Sequence, residues 1–192
     1  MSRRMVAVGA IAIVAIAAGW WLIARAVRSA NRPAASAPAA NAAPSSAARK
    51  ITATLYFISE DGMSLVGVKR EVPFGESVLE QAQQIVTAQM GAAPQPLASA
   101  IPPGATLRAL YLTDRGDAFV DLSVEARTNH TGGALDELFT VYAIVNALTT
   151  NLPAVTRVQI LVDGKEVDTL SGHVDLRHPL QRNLKWVRTE KS

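Results

Sequence analysis

The chain has 192 residues, 49% of them hydrophobic and 5% aromatic, with no cysteine; this allows one domain with something added and excludes disulfides, thiolate metal sites, cysteine nucleophiles and a lipid-modified N-terminal cysteine. The formal charge of +3 divides unevenly: residues 1–50 carry seven basic and no acidic side chains, residues 51–180 eight against fifteen, and residues 181–192 four against one. A foldable region that is acidic is a poor match for phosphates, so nucleic acid is set aside as a partner.

Residues 1–4 read as a short cytoplasmic N-terminus. MVAVGAIAIVAIAAGWWLIA, residues 5–24, then runs for twenty residues without a charge. As a helix it spans roughly 30 Å, the hydrocarbon thickness of a bilayer, and Trp20 and Trp21 sit at one end, where indoles favour the interface. A cleaved signal peptide has a shorter apolar core and a small-residue cleavage site; here Arg25, Arg28 and Arg32 follow at once, as on the flank of an anchor. The expectation is a single-pass segment in the cytoplasmic (inner) membrane, in contact with lipid, its N-terminus inside and the rest of the chain extracytoplasmic. Residues 25–50, rich in Ala, Pro and Ser, read as a flexible, disordered linker.

ITATLYFI (residues 51–58) alternates as a half-buried strand does, Asp61-Gly62 signals a turn, and LVGVKREV (residues 65–72) returns as a second strand. Ser77 and Glu80 have capping-box spacing for a helix running to about Met90, with Gly91 at its C-terminal end. Residues 107–113 and 118–124 read as a hairpin around Asp114-Arg115-Gly116-Asp117. A second, largely buried helix runs from about Ala134 to Thr150, since VYAIVNAL (residues 141–148) is apolar nearly all round. Residues 155–162 form a strand ended by Asp163-Gly164, with residues 166–170 pairing back. The order predicts an α+β class: a mixed sheet of about five to six strands with two helices packed on one face, over residues 51–180. Residues 181–192 read as a basic C-terminal tail.

IPPGATL (residues 101–107), VDLS (120–123), AIVNALT (143–149), VQILVDG (158–164), and GHVD with its following Pro179 and Leu180 occur in an order that resembles the GerMN family of bacterial envelope proteins, over about residues 51–180. The resemblance implies a non-catalytic domain outside the cytoplasmic membrane, needing no cofactor, similar in fold to the ring-building modules of envelope machines, with a protein partner or self-association as its mode of action. Family members often sit on lipoproteins or anchored proteins; this chain departs by carrying a spanning segment and a single copy of the domain.

HVDLRH (residues 173–178) looks most like chemistry. A metal site would need His173, Asp175 and His178 to converge; on an extended backbone His173 and Asp175 share a face and His178 points away. The expected arrangement is a hydrogen-bonded His173–Asp175 pair fixing the final loop against the sheet. Asn146, on the helix face of Leu135, Leu138, Phe139, Tyr142 and Thr149, must find partners when buried, either a ligand or a neighbouring loop. Asp117 with Asp121 does not read as an acid–base pair, and Asp136 with Glu137 is expected to complement the positive end of the helix dipole. No nucleophile elbow, phosphate-binding glycine loop or His-Glu-x-x-His occurs. The sequence therefore points to a membrane-anchored interaction or assembly domain; the alternative is a binding module for a small ligand or cell-wall glycan.

Overall fold

A computed structural model describes residues 49–188. The expected anchor and residues 25–48 of the expected linker lie outside the described residues; Lys50, expected in the linker, instead opens the first strand. Among the described residues no helix is long and apolar enough to cross a membrane. The folded unit opens with two strands, β1 (Lys50–Ile58) and β2 (Leu65–Pro73), followed by helix α1 (Val78–Gln89). Next come β3 (Leu107–Leu112), β4 (Asp117–Leu122), a one-turn helix α2 (Glu125–Thr128) and the long α3 (Ala134–Asn151). The described residues close with β5 (Arg157–Val162), β6 (Lys165–Glu166), β7 (Leu180–Gln181) and β8 (Val187–Arg188).

The α+β class holds, but the single sheet does not. There are two: β1-β2-β8, and β3-β4-β5-β6 with β7 also on β5. Nor do the helices lie on one face. α1 packs against β1 and β2 of one sheet and β3 of the other; α3 packs against β1 of the first and β5 and β7 of the second. Alternation in each strand shows which face is inward, not which strands share a sheet. A helix apolar nearly all round can bury two sides, and α3 does: Phe139, Val141, Ile144, Val145 and Leu148 are all fully buried. With Leu55, Phe57, Ile85 and Ile160 they form one core, each large side chain contributing about 1.5–3 kcal/mol.

Local signals behave as the chain chemistry requires. The Ser77–Glu80 capping box is present in full at the start of α1. Asp163 and Gly164 both take positive φ, 52° and 74°, the twist that a two-residue hairpin turn needs. That hairpin is short, because β6 covers only two residues and not the expected 166–170. β4 and β5 run parallel, joined by α2 and α3 as crossover. The fold also extends past residue 180. Of the stretch expected to be a tail, Gln181 belongs to β7 on β5, and residues 187–188 form β8, parallel to β2.

β1 is the outer strand of its sheet, and its free edge is closed by side chains. Gln89 of α1 accepts from the Tyr56 N–H (2.8 Å) and donates to the Tyr56 carbonyl (2.7 Å). Asn151 of α3 does the same at Thr54, with both bonds 2.8 Å. At Ile58 the backbone of Ala98 supplies the pair. A carboxamide has one acceptor and a donor on one plane, so it satisfies an edge residue as a neighbouring strand would. Replacing Gln89 by Leu is expected to lower unfolding free energy by about 2–4 kcal/mol, because the buried Tyr56 N–H and carbonyl lose their partner; urea denaturation of the variant checks this.

Candidate functional site

Two buried residues of α3, Glu137 and Asn146, organise the places where the sequence-predicted residues fall. Glu137, in its first turn, is fully buried. Its carboxylate faces the chain reversal at residues 170–173. Oε1 accepts from the N–H groups of Leu170 (2.7 Å) and Ser171 (2.9 Å). Oε2 accepts from the N–H of His173 (2.7 Å) and lies 3.2 Å from its ring Nδ1. An ionised carboxylate only accepts, so Nδ1 carries the proton on that side of the imidazole. Gly172, at φ 98°, turns the backbone so that the N–H groups on either side converge on one anion. Burial by itself pushes the Glu137 carboxyl up, but the N–H groups of Ser171, His173 and Leu170, with the His173 ring, outweigh it and hold the group below the usual glutamate range.

The expected His173–Asp175 pair is therefore not formed. His173 turns inward to Glu137, while Asp175 turns outward to Arg177, which donates from Nε (2.9 Å), Nη2 (2.7 Å) and its backbone N–H (3.0 Å). Those bonds keep the exposed Asp175 carboxyl well below its ordinary value, the Arg177 side chain contributing most. His178 is exposed, and among the described residues no three His, Asp or Glu side chains are placed to hold a metal ion.

Sequence reasoning missed Glu137. Its place in the first turn beside Asp136 offered a sufficient reason in the helix dipole. The signal was its spacing: 137, 141, 144 and 148 share one helical stripe, and the other three positions are Val, Ile and Leu. A carboxylate on such a stripe must be neutralised or bonded from outside the helix.

Asn146, also fully buried, is the second place. Its Oδ1 accepts from the N–H of Asn183 and its Nδ2 donates to the Asn183 carbonyl, each at 2.9 Å. The amide is thus spent on the chain itself, holding Asn183 against α3. Downstream, Leu65 donates its N–H to the Trp186 carbonyl (2.8 Å), which leads into β8. Every buried side-chain nitrogen and oxygen among the described residues has a partner. Asp121 is tied in the same manner, accepting from the Gly164 N–H (2.7 Å) and from Arg108 (3.3 Å).

Glu137→Gln places an amide N–H₂ where backbone donors point, and is expected to cost about 2–4 kcal/mol, read by chemical denaturation. The pH dependence follows from the lowered native pKa. Stability from Glu137 is fully present above the ordinary value of 4.5 and is lost as pH falls through the native value. Acid titration of unfolding is expected to show a smaller loss in Glu137→Gln than in the parent chain.

The family described as sporulation and spore germination, Germane, matches residues 54–168, more than half of the chain. No curated protein matches. Among solved structures, the chain is similar to the first GerMN domain of the sporulation protein GerM from Bacillus subtilis, with TM-score 0.54 and 20% identity over 69% of this chain and 98% of that one. The tandem GerMN domains of the same protein give 0.51 and 19%, over 71% of this chain and 46% of that. At those identities both speak to the fold. A Clostridium perfringens protein described as a lipoprotein gives 0.50 and 27%, over 69% of this chain and 87% of that one. The chain belongs to the sporulation and spore germination family, and its domain is GerMN-like.

Proposed function

We infer that this chain is an interaction module of the bacterial envelope, held at the cytoplasmic membrane by residues 5–24 with its folded domain on the outer side, and that it acts by binding a protein and not by catalysis. The uncharged twenty-residue segment supports the placement. The Clostridium perfringens relative is described as a lipoprotein. This chain has no cysteine to carry such a lipid, so the apolar segment takes the anchoring part.

The observation that carries the protein-binding reading is the contrast between two sheet edges. The outer edge of β1 is closed at Thr54, Tyr56 and Ile58. β3 is the terminal strand of the other sheet and pairs with β4 on one side. A bulge between Leu107 and Ala109 interrupts the ladder, and Arg108 there pairs with Asp121 and Asp163; both devices discourage strand addition at that end. Beyond them Tyr111 is 58% exposed, and across the ladder it meets the half-buried Phe119. An aromatic row beside a terminal strand supplies both backbone pairing and a side-chain anchor for an extended partner segment.

In membranes carrying the full-length chain, a photo-crosslinking residue at position 111 is expected to capture an envelope protein, whereas one at position 69, in β2 of the other sheet, is not. Phe119→Ser, on the face shared with Tyr111 and outside the hydrophobic core, is expected to lower capture from position 111 about tenfold, the effect of losing one well-placed contact. Equal capture from both positions, or recovery of the intact chain in the soluble cytosol, would overturn the reading.

A further inference from the structure

The geometry points to a second contact on this molecule: a groove at the C-terminal end of α3 that takes an acidic peptide segment of a partner protein. The inference rests on the protein-binding reading above but concerns a different face. The groove has a volume of about 720 Å³, within the range of pockets that hold small ligands. Thr149 and Thr150 of α3, Thr156 and Arg157 at the start of β5, and Gln181 and Arg182 after the chain returns all line it.

The hydrogen-bonding capacity of the lining is unbalanced. The Thr149 hydroxyl donates to the Val145 carbonyl (2.7 Å) and Thr156 to the Gly116 carbonyl (3.2 Å), while Thr150 shares a bond with the Tyr56 hydroxyl (2.9 Å). Fixed donors remain. Arg157 gives Nε and Nη2 to Asp117, at 2.7 and 3.0 Å. A guanidinium has five N–H groups, so Asp117 holds this one in place and leaves three unspent. The Arg157 side chain is 42% exposed against 13% for Asp117. Arg182 is exposed and has no carboxylate within ion-pair distance among the described residues. A preorganised guanidinium beside an unpaired one suits carboxylates, which accept in a plane.

Two opposing charges need weighing. Asp117 cancels the charge of Arg157 but not its remaining donors. The C-terminal end of α3 repels an anion with the equivalent of roughly half a charge, against the full charge of Arg182. Arg182 and Lys185 also lie on the return segment, beyond the family match at residue 168, and put basic groups on a body that is acidic over residues 51–180. That contrast selects a narrow ligand. An anionic bilayer would meet the acidic body as well as the groove, and a glycan would find no aromatic ring in the lining to stack on.

The test is fluorescence anisotropy of a labelled hexaglutamate peptide with the full-length chain in zwitterionic detergent at low salt. Hexaglutamate is expected to bind at least about tenfold more tightly than hexaglutamine, and to weaken as salt rises. Arg182→Glu is expected to remove about tenfold or more of that affinity, and Arg182→Lys to retain most of it. The exposed position leaves the thermal midpoint unchanged in both. Equal binding of the two peptides, or no effect of Arg182→Glu, overturns the proposal. So does tighter, Arg182-dependent binding of anionic vesicles or soluble cell-wall fragments than of hexaglutamate. Crosslinking at position 111 reads β3 and not this groove, so failure here is distinct from failure of the protein-binding reading there.

Discussion

The fold depends on how the edge of its first strand is satisfied. Both long helices pack on β1, and its outward backbone groups at Thr54 and Tyr56 are bonded by an amide from each helix. A buried N–H or carbonyl without a partner costs about 1–3 kcal/mol. Gln89 and Asn151 therefore do more than fill space. They fix the register of α1 and α3 along β1, and through them the second sheet is placed against the same core. An apolar residue at either position preserves burial but loses that positional information.

The same device recurs where the chain closes on itself. Asn146 bonds both backbone groups of Asn183, and Gln81 of α1 spans the Gly75 N–H and the Pro73 carbonyl. Glu137 replaces the amide by a carboxylate and gathers three N–H groups and an imidazole. In each case a helix reaches out to backbone at a strand end, a turn or the returning chain. That is how a fold with three strands of only two residues each stays compact. Long ladders do not hold residues 165–188; side chains on the helices, β5 and the chain's own turns do.

The parts of this architecture that rest on neighbours in sequence were legible beforehand. Ser77 and Glu80 specify their own capping box, Asp163-Gly164 its own turn, and the run from Val141 to Leu148 its own burial. Division into two sheets was not legible, because Leu55 and Val120 look alike as inward residues although they belong to different sheets. Glu137 and Gln89 were hidden for a related reason. Each is a polar residue on an apolar stripe, and its partners, the 170–173 turn and Tyr56, lie more than thirty positions away. His173 and Asp175 were close enough in sequence to suggest one another, yet each had a better partner: a buried carboxylate for the first and the Arg177 guanidinium for the second. The basic residues after 180 looked like a tail because their anchors, Asn146 and the edge of β2, are equally remote.

The placement of β1 also bears on mechanics. The folded unit begins at this strand, which is matched to β2 over nine antiparallel pairs and fastened along its other side by the two helices. Force entering at Lys50 along the strand axis runs across its inter-strand hydrogen bonds, so all of them resist together in shear and none is peeled open first. A domain pulled from its N-terminal side is thus gripped first by a strand bonded along both edges.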